Sequence, residues 1–436
     1  MSNWIRPTTS VIFFSLPFLI FSTFELAPLV HAHTLTQQPH DEVLVSSYAH
    51  DINFPEEILF SIEGSSKVQL LEIKLVLQIG NSGVITYRYV KVDQDIETNG
   101  FEGTTTLATN GRSYIPSGVS IKYYFEVTDA QENNYYTHPT NFTYLDPRYS
   151  WKSMNIDPIT VHWHGFSEDE VYETIQRTRG QVSRIRDIVG VDEVQPIKGI
   201  IINTPGEALK TFPPVSEAAT RDGLYGGFAF KDYDLFMVGG LNANSMIHET
   251  VHLIVGQSID SPFSKIPAWL NEGLAMHFES QTPIRAHEIT ERIRKGDLPS
   301  LSTMKSVPGR PEDVRLFYAQ SNAIVEHMMD KFGEHKMPEL LSELKSGSDI
   351  ESSLKKVYGL TSVELQEDWE ENLLPTFNRK LIVDPGTFWT SSMLAGVFIV
   401  AITIMGIKWL RGKINGTDKS TYYMKSNGSG DDYQNE

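Results

Sequence analysis

The sequence predicts a multidomain chain: an N-terminal all-β immunoglobulin-like sandwich, then an α+β domain, then one C-terminal transmembrane helix. Three observations carry this. Short strands alternating with turn signals fill residues 41–147, strands give way to helices over 148–376, and Phe388 to Ile407 is twenty residues without a charge. At 436 residues the chain is too long for one ordinary domain, and 40% hydrophobic residues suffice for packed cores. The net charge of −18 argues against a nucleic-acid partner. With no cysteine, disulfides, thiolate metal sites and a cysteine nucleophile are all excluded, so any metal must be held by His and carboxylate.

Residues 1–32 read as an export signal. Arg6 precedes the apolar run Val11 to Phe24, and Val30-His31-Ala32 offers a small-residue cleavage site. The run Phe388 to Ile407 spans about 30 Å as a helix, the thickness of a hydrocarbon core. Trp389 and Trp409 sit at its ends, where amphipathic rings favour the interface. Together they place the N-terminal domains outside the cell membrane, with a single pass and a cytoplasmic C-terminus. The tail 408–436 is polar. It carries five basic against four acidic residues, and Arg6 balances Glu25 at the other end, which leaves −19 on residues 33–407.

Within the β region, Val68 to Ile79 is followed by the turn Gly80-Asn81-Ser82-Gly83, and Val84 to Val92 resumes with period two. Further strands are expected at Thr104–Ala108, Ile121–Thr128 and Thr140–Tyr144. Nothing here has catalytic spacing, so a spacer or interaction module is expected. After Trp151, strands are expected at Ile159–His164, Lys198–Asn203, Gly226–Phe230 and Leu235–Val238, with a helix over Glu168–Ile188. His162 and His164, two apart on a strand, share a face; a partly exposed, idle pair is the expected reading over a metal site.

The chemistry lies at His248-Glu249-Thr250-Val251-His252. Positions i and i+4 of a helix share one face, so both imidazoles reach one ion while Glu249 approaches a water from the side. Asn244 or Ser245 is expected to cap this helix and Gly256 to end it. Twenty residues after His252, Glu272 sits in the apolar company of Trp269, Leu270, Leu274 and Ala275. The turn-rich stretch between them returns a second helix to the first. His248, His252 and Glu272 then form a three-ligand site with a fourth position for water, the pattern of catalytic zinc, one Zn²⁺ per chain.

HETVH followed by Trp269-Leu-Asn-Glu-Gly-Leu-Ala275 resembles the gluzincin branch of zinc metallopeptidases. More closely, residues from about 120 to 374 resemble bacterial proteins with a peptidase MA-like domain. Tyr123 to Asp129, Phe142-Thr-Tyr144, Trp151, Val161-His-Trp163, the HETVH and WLNEGLAMHFE segments and Tyr318-Ala-Gln-Ser321 carry that likeness. The resemblance implies a zincin-like metallopeptidase fold for 148–376, zinc on His248, His252 and Glu272, Glu249 as general base and proton shuttle, and a peptide or protein substrate. It makes Tyr318 the candidate donor to the reacting carbonyl oxygen, with His277 and His327 as other candidates. It also implies an edge strand, Gly226–Phe230 or Leu235–Val238, on which a peptide is laid out. Thermolysin-like members place an Asp four residues after the third ligand; Met276 stands there, so Asn271 or a backbone carbonyl is expected to orient an imidazole instead. The alternative is a catalytically silent surface binding or adhesion protein on a peptidase-like scaffold. The sequence sets no oligomeric state.

Overall fold

The computed structural model describes residues 42–380 apart from 82, 96, 214–225, 262–263 and 280–285. Period-two alternation builds the N-terminal region into two facing sheets. One runs β1 (Val43–Asn53), β2 (Glu57–Ser66), β6 (Gly100–Ala108), β5 (Lys91–Asp95). The other runs β4 (Ile85–Tyr89), β3 (Leu70–Ile79), β7 (Ser120–Asp129), β8 (Asn134–Tyr136), with β9 (Thr140–Thr143) also on β7. Ile58, Phe60 and Ile62 of β2 meet Ile73, Leu75 and Leu77 of β3 between the sheets, every second side chain pointing inward.

The strand expected over 84–92 is two strands. Val90 turns into the core and donates its N–H to Ile73 O at 2.9 Å, so β4 stays on β3 while β5 crosses to β6. The first two strands, β1 and β2, are not among those expected; β1 is mostly exposed and its alternation is diluted by polar residues, whereas β2 alternates through Ile58, Phe60 and Ile62.

The following domain holds a five-stranded sheet ordered β10 (Lys152–Ile156), β11 (Ile159–Trp163), β12 (Ile197–Ile202), β14 (Leu235–Gly239), β13 (Gly227–Phe230). The central three are parallel; β10 and β13 are antiparallel edges. Between β11 and β12 runs α1 (Glu168–Val189), started by a Ser167–Glu170 capping box. Both faces of the sheet are covered. Ile201, Phe236 and Val238 face a helical core, while Ile200, Ile202, Leu235 and Met237 pack with Ile115, Val119 and Ile121 of the β region. Burial on both sides is why β12 ends in the continuous apolar run Ile200-Ile201-Ile202.

Helices follow: α2 (Pro205–Thr211), then α3 (Ala243–Ser258), α4 (Ala268–His277), α5 (Ala286–Lys295), α6 (Pro311–Phe332), α7 (Lys336–Lys345), α8 (Ile350–Tyr358) and α9 (Ser362–Lys380). Among the described residues no helix is long and apolar enough to cross a membrane. The expected signal segment 1–32, the span Phe388–Ile407 and the tail 408–436 lie outside the described residues.

Candidate metal centre

The HETVH segment lies in the first half of α3. Asn242, rather than Asn244 or Ser245, is the N-cap: its side-chain oxygen accepts from the N–H groups of both those residues. Gly256 does not end the helix, which continues to Ser258, because Ile259 buries apolar surface beyond it. Met246, Ile247, Val251, Leu253 and Ile254 lock α3 into the core, leaving the His248–His252 face toward a cleft.

α4 starts after Pro267 and packs on α6 so closely that a Cβ at Gly273 would fall 2.5 Å from Ser321 O. This helix carries Glu272 to the two imidazoles. Its Oε2 lies 3.3 Å from Nε2 of both His248 and His252, and one donor atom from each of the three residues falls within 4.8 Å of the others. Glu272 Oε2 is buried without a hydrogen-bond partner. Three converging donors, one of them an orphaned carboxylate oxygen, fit a divalent metal ion. Among the described residues this is the one such cluster.

The charge state of these groups follows from their crowding. Burial alone opposes charge on His248, but the adjacent carboxylates of Glu272 and Glu279 outweigh it and push the ring up to about 10. His252 also rises, burial being overcome by Glu272. Burial works to raise Glu272 as well, yet the two rings hold it well below the usual carboxylate range. Glu249, 5% exposed, moves the other way: burial pushes its carboxyl up despite both histidines.

Two features escaped the sequence reading. Glu279, just past the end of α4, holds His248 Nδ1 at 2.6 Å, and this carboxylate fills the orienting role expected of Asn271 or a carbonyl. Asn271 lines the cleft instead. His252 Nδ1 is buried with no partner among the described residues. The second feature is Gly227 on β13. A Cβ there would lie 2.9 Å from Glu249 Oε1 and 2.5 Å from Met237 O, so only glycine lets the edge strand pass this close to the acid. No local signal marks either residue, since both contacts are made by the tertiary fold.

Tyr318 of α6 lines the cleft, its ring centroid 6.2 Å from that of His248. His277 and His327 do not line it. His277 is held by Glu326 and Arg184, and His327 by Asp368. His162 and His164 form no site together: His164 bonds Glu207 at 2.7 Å and stacks on Tyr149, while His162 stays on the strand opposite Ile200. Of the two strands considered for the sheet edge, β13 is the edge and β14 is interior. The cleft that β13 borders has a volume of about 670 Å³.

Residues 178–375 match the Peptidase MA superfamily model. These residues form a Peptidase MA-like domain. Solved structures overlap more loosely. A two-domain M1 zinc metallopeptidase bound to L-arginine is 11% identical, with a TM-score of 0.34 over 76% of this chain and 94% of that one. An aminopeptidase N family protein from Idiomarina loihiensis is 6% identical, with a TM-score of 0.33 over 74% and 75%. An M1 zinc metallopeptidase from Deinococcus radiodurans is 11% identical, with a TM-score of 0.29 over 77% and 94%. No curated protein matches the chain in sequence. The matched residues contain the whole cluster of His248, Glu249, His252 and Glu272.

Proposed function

We propose that the chain is a membrane-anchored, extracytoplasmic zinc metallopeptidase that hydrolyses peptide bonds. The observation that carries this is the convergence of His248, His252 and Glu272 with the buried carboxyl of Glu249 beside them in one cleft. His248, His252 and Glu272 would hold one Zn²⁺, which when bound acidifies water and polarises the scissile carbonyl.

The remaining chemistry belongs to the chain. Glu249 takes the proton of the attacking water and hands it to the departing amine. A carboxyl whose affinity for protons is raised by burial suits both halves of that task. Glu279 holds His248 in one ring orientation. The open edge of β13 receives substrate backbone, and Tyr318 donates a hydrogen bond to the carbonyl oxygen as it gains charge. The anchor is the uncharged run Phe388–Ile407, and the export signal 1–32 places the catalytic domain outside the cell membrane with the tail inside.

The second reading, a catalytically silent binding or adhesion protein on the same scaffold, is disfavoured by Glu249, since a purely structural metal does not need that acid. The purified full-length chain separates them. Casein or peptide-library cleavage is expected to fall roughly 10³-fold in Glu249→Gln, with zinc still near one per chain. Equal behaviour of wild type and variant would leave the silent binder standing.

A further inference from the structure

β13 runs alongside α3 in the same direction. Gly226 approaches Ser245, Gly227 approaches Glu249, and Lys231, the first residue after the strand, lies over Gly256, where an added Cβ would fall 3.2 Å from the Lys231 Cβ. Alternation sets what faces the cleft. Phe230 packs toward the β region and Phe228 packs there too while touching the cleft; Gly227, Ala229 and Lys231 line the cleft along the other face. Beside the acid the floor is therefore two small residues with Phe228 between them, followed by one long cation. Beyond His252 the helix contributes Val255, Gly256 and Ile259, an apolar wall with a gap at the glycine. The glycine, unfavourable inside a helix, here makes room for the lysine stem.

The charges of the cleft are distributed unevenly. Its carboxylates are Glu249, Glu272 and Glu279, all engaged around the histidines. Lys231 is the one Lys or Arg lining it and has no side-chain hydrogen bond or ion pair among the described residues. An unpaired ammonium at the rim of a cleft, in a chain of net charge −18, selects for a substrate charge of opposite sign.

We infer that Lys231 is a specificity-determining residue that favours peptides with Asp or Glu on the N-terminal side of the cleaved bond. The inference rests on the peptidase reading and names a substrate class for it. The direction comes from the strand. Among the described residues the outer edge of β13 is unpaired; a peptide adds to it most stably in antiparallel pairing, so its N-terminal portion lies at the Lys231 end. Gly227, at the acid, and Lys231 are four residues apart, about 13 Å of strand. The preferred acid thus sits three or four residues before the cut.

Profiling of a peptide library with the zinc-loaded full-length chain tests this. Asp and Glu are expected to be enriched about fivefold at one of those two positions, the size of an exposed ion pair. In Lys231→Glu the enrichment is expected to pass to Lys and Arg. Cleavage with no acidic preference, an acidic preference that Lys231→Glu leaves intact, or one on the C-terminal side of the cut overturns the inference while leaving the peptidase standing. A binding arm covers failure of the chemistry. Labelled decapeptides differing by Asp or Lys at that position are titrated onto zinc-loaded Glu249→Gln, with and without Lys231→Glu. A preference for Asp that the second substitution reverses supports the Lys231 site even if nothing is cleaved; equal affinities in the two backgrounds count against it.

Discussion

A methyl group at position 227 has nowhere to go. It would press on Glu249 Oε1 at 2.9 Å and on Met237 O at 2.5 Å, and the second neighbour is backbone inside the sheet. Gly227→Ala is therefore expected to displace either the edge strand or the acid. Overpacking of this kind costs about 1–3 kcal/mol, and peptide hydrolysis should fall at least tenfold with zinc stoichiometry unchanged. Paired thermal melts and metal analysis check it: a variant as active as wild type would mean the strand yields freely. Glu279 has the opposite kind of importance, through a contact it makes. Glu279→Gln keeps the shape but weakens the grip on His248 Nδ1, so zinc affinity is expected to drop about 10–100-fold in a chelator competition, with little change in melting of the metal-free protein. The contrast shows what one chain of letters discloses. His248, Glu249 and His252 are legible because a single helix encodes their spacing. Glu272 is legible through its apolar company. Gly227 and Glu279 are not, since each acquires meaning only when another element is folded against it.

The elements were easier to read than their ends. Periodicity marked α1 and the central strands, but the N-cap of α3 lies at Asn242, upstream of the residues that its oxygen holds, and α3 runs past its glycine. Strand alternation could not reveal that Val90 redirects the chain from one sheet to the other, because both halves keep the same period. Packing between α4 and α6 is a further property of paired elements. Gly273 lets the helices touch, with a Cβ there 2.5 Å from both Ser321 O and Val325 Cγ2. Gly273→Ala gains up to about 1 kcal/mol of helix propensity but must push a backbone carbonyl aside. The net expectation is a loss of about 1–2 kcal/mol in denaturant unfolding. Activity should fall as well, since Glu272 precedes Gly273 and Tyr318 lies one turn before Ser321. A stabilised variant would show that propensity outweighs the contact.

At the scale of the molecule, the β region packs as one layer against the sheet of the following domain. Full burial of Ile200, Ile202, Leu235 and Met237 against the β region contributes roughly 6–12 kcal/mol as an upper bound, comparable with the whole stability of a domain. Lys198 joins the layers directly, donating to Gly118 O at 2.9 Å and Ser120 Oγ at 2.8 Å. Beside it on the sheet lies His162, whose ring is lowered to about 4 by burial and then by the Lys198 charge. The sign follows. Above pH 6.5 the ring is neutral folded or unfolded, and the fold loses nothing. Between 6.5 and 4 the unfolded chain takes up a proton that the folded chain refuses, so stability falls as pH falls; below 4 both states are charged and the loss is complete. Full weight would be about 3 kcal/mol, and partial exposure of the ring reduces this to about 2 kcal/mol. His162→Gln has no proton to refuse. Denaturant unfolding at pH 7 and pH 4.5 should therefore show a steeper acid loss in wild type than in the variant, by up to about 2 kcal/mol. Parallel losses in the two proteins would place the acid sensitivity of the layer contact elsewhere.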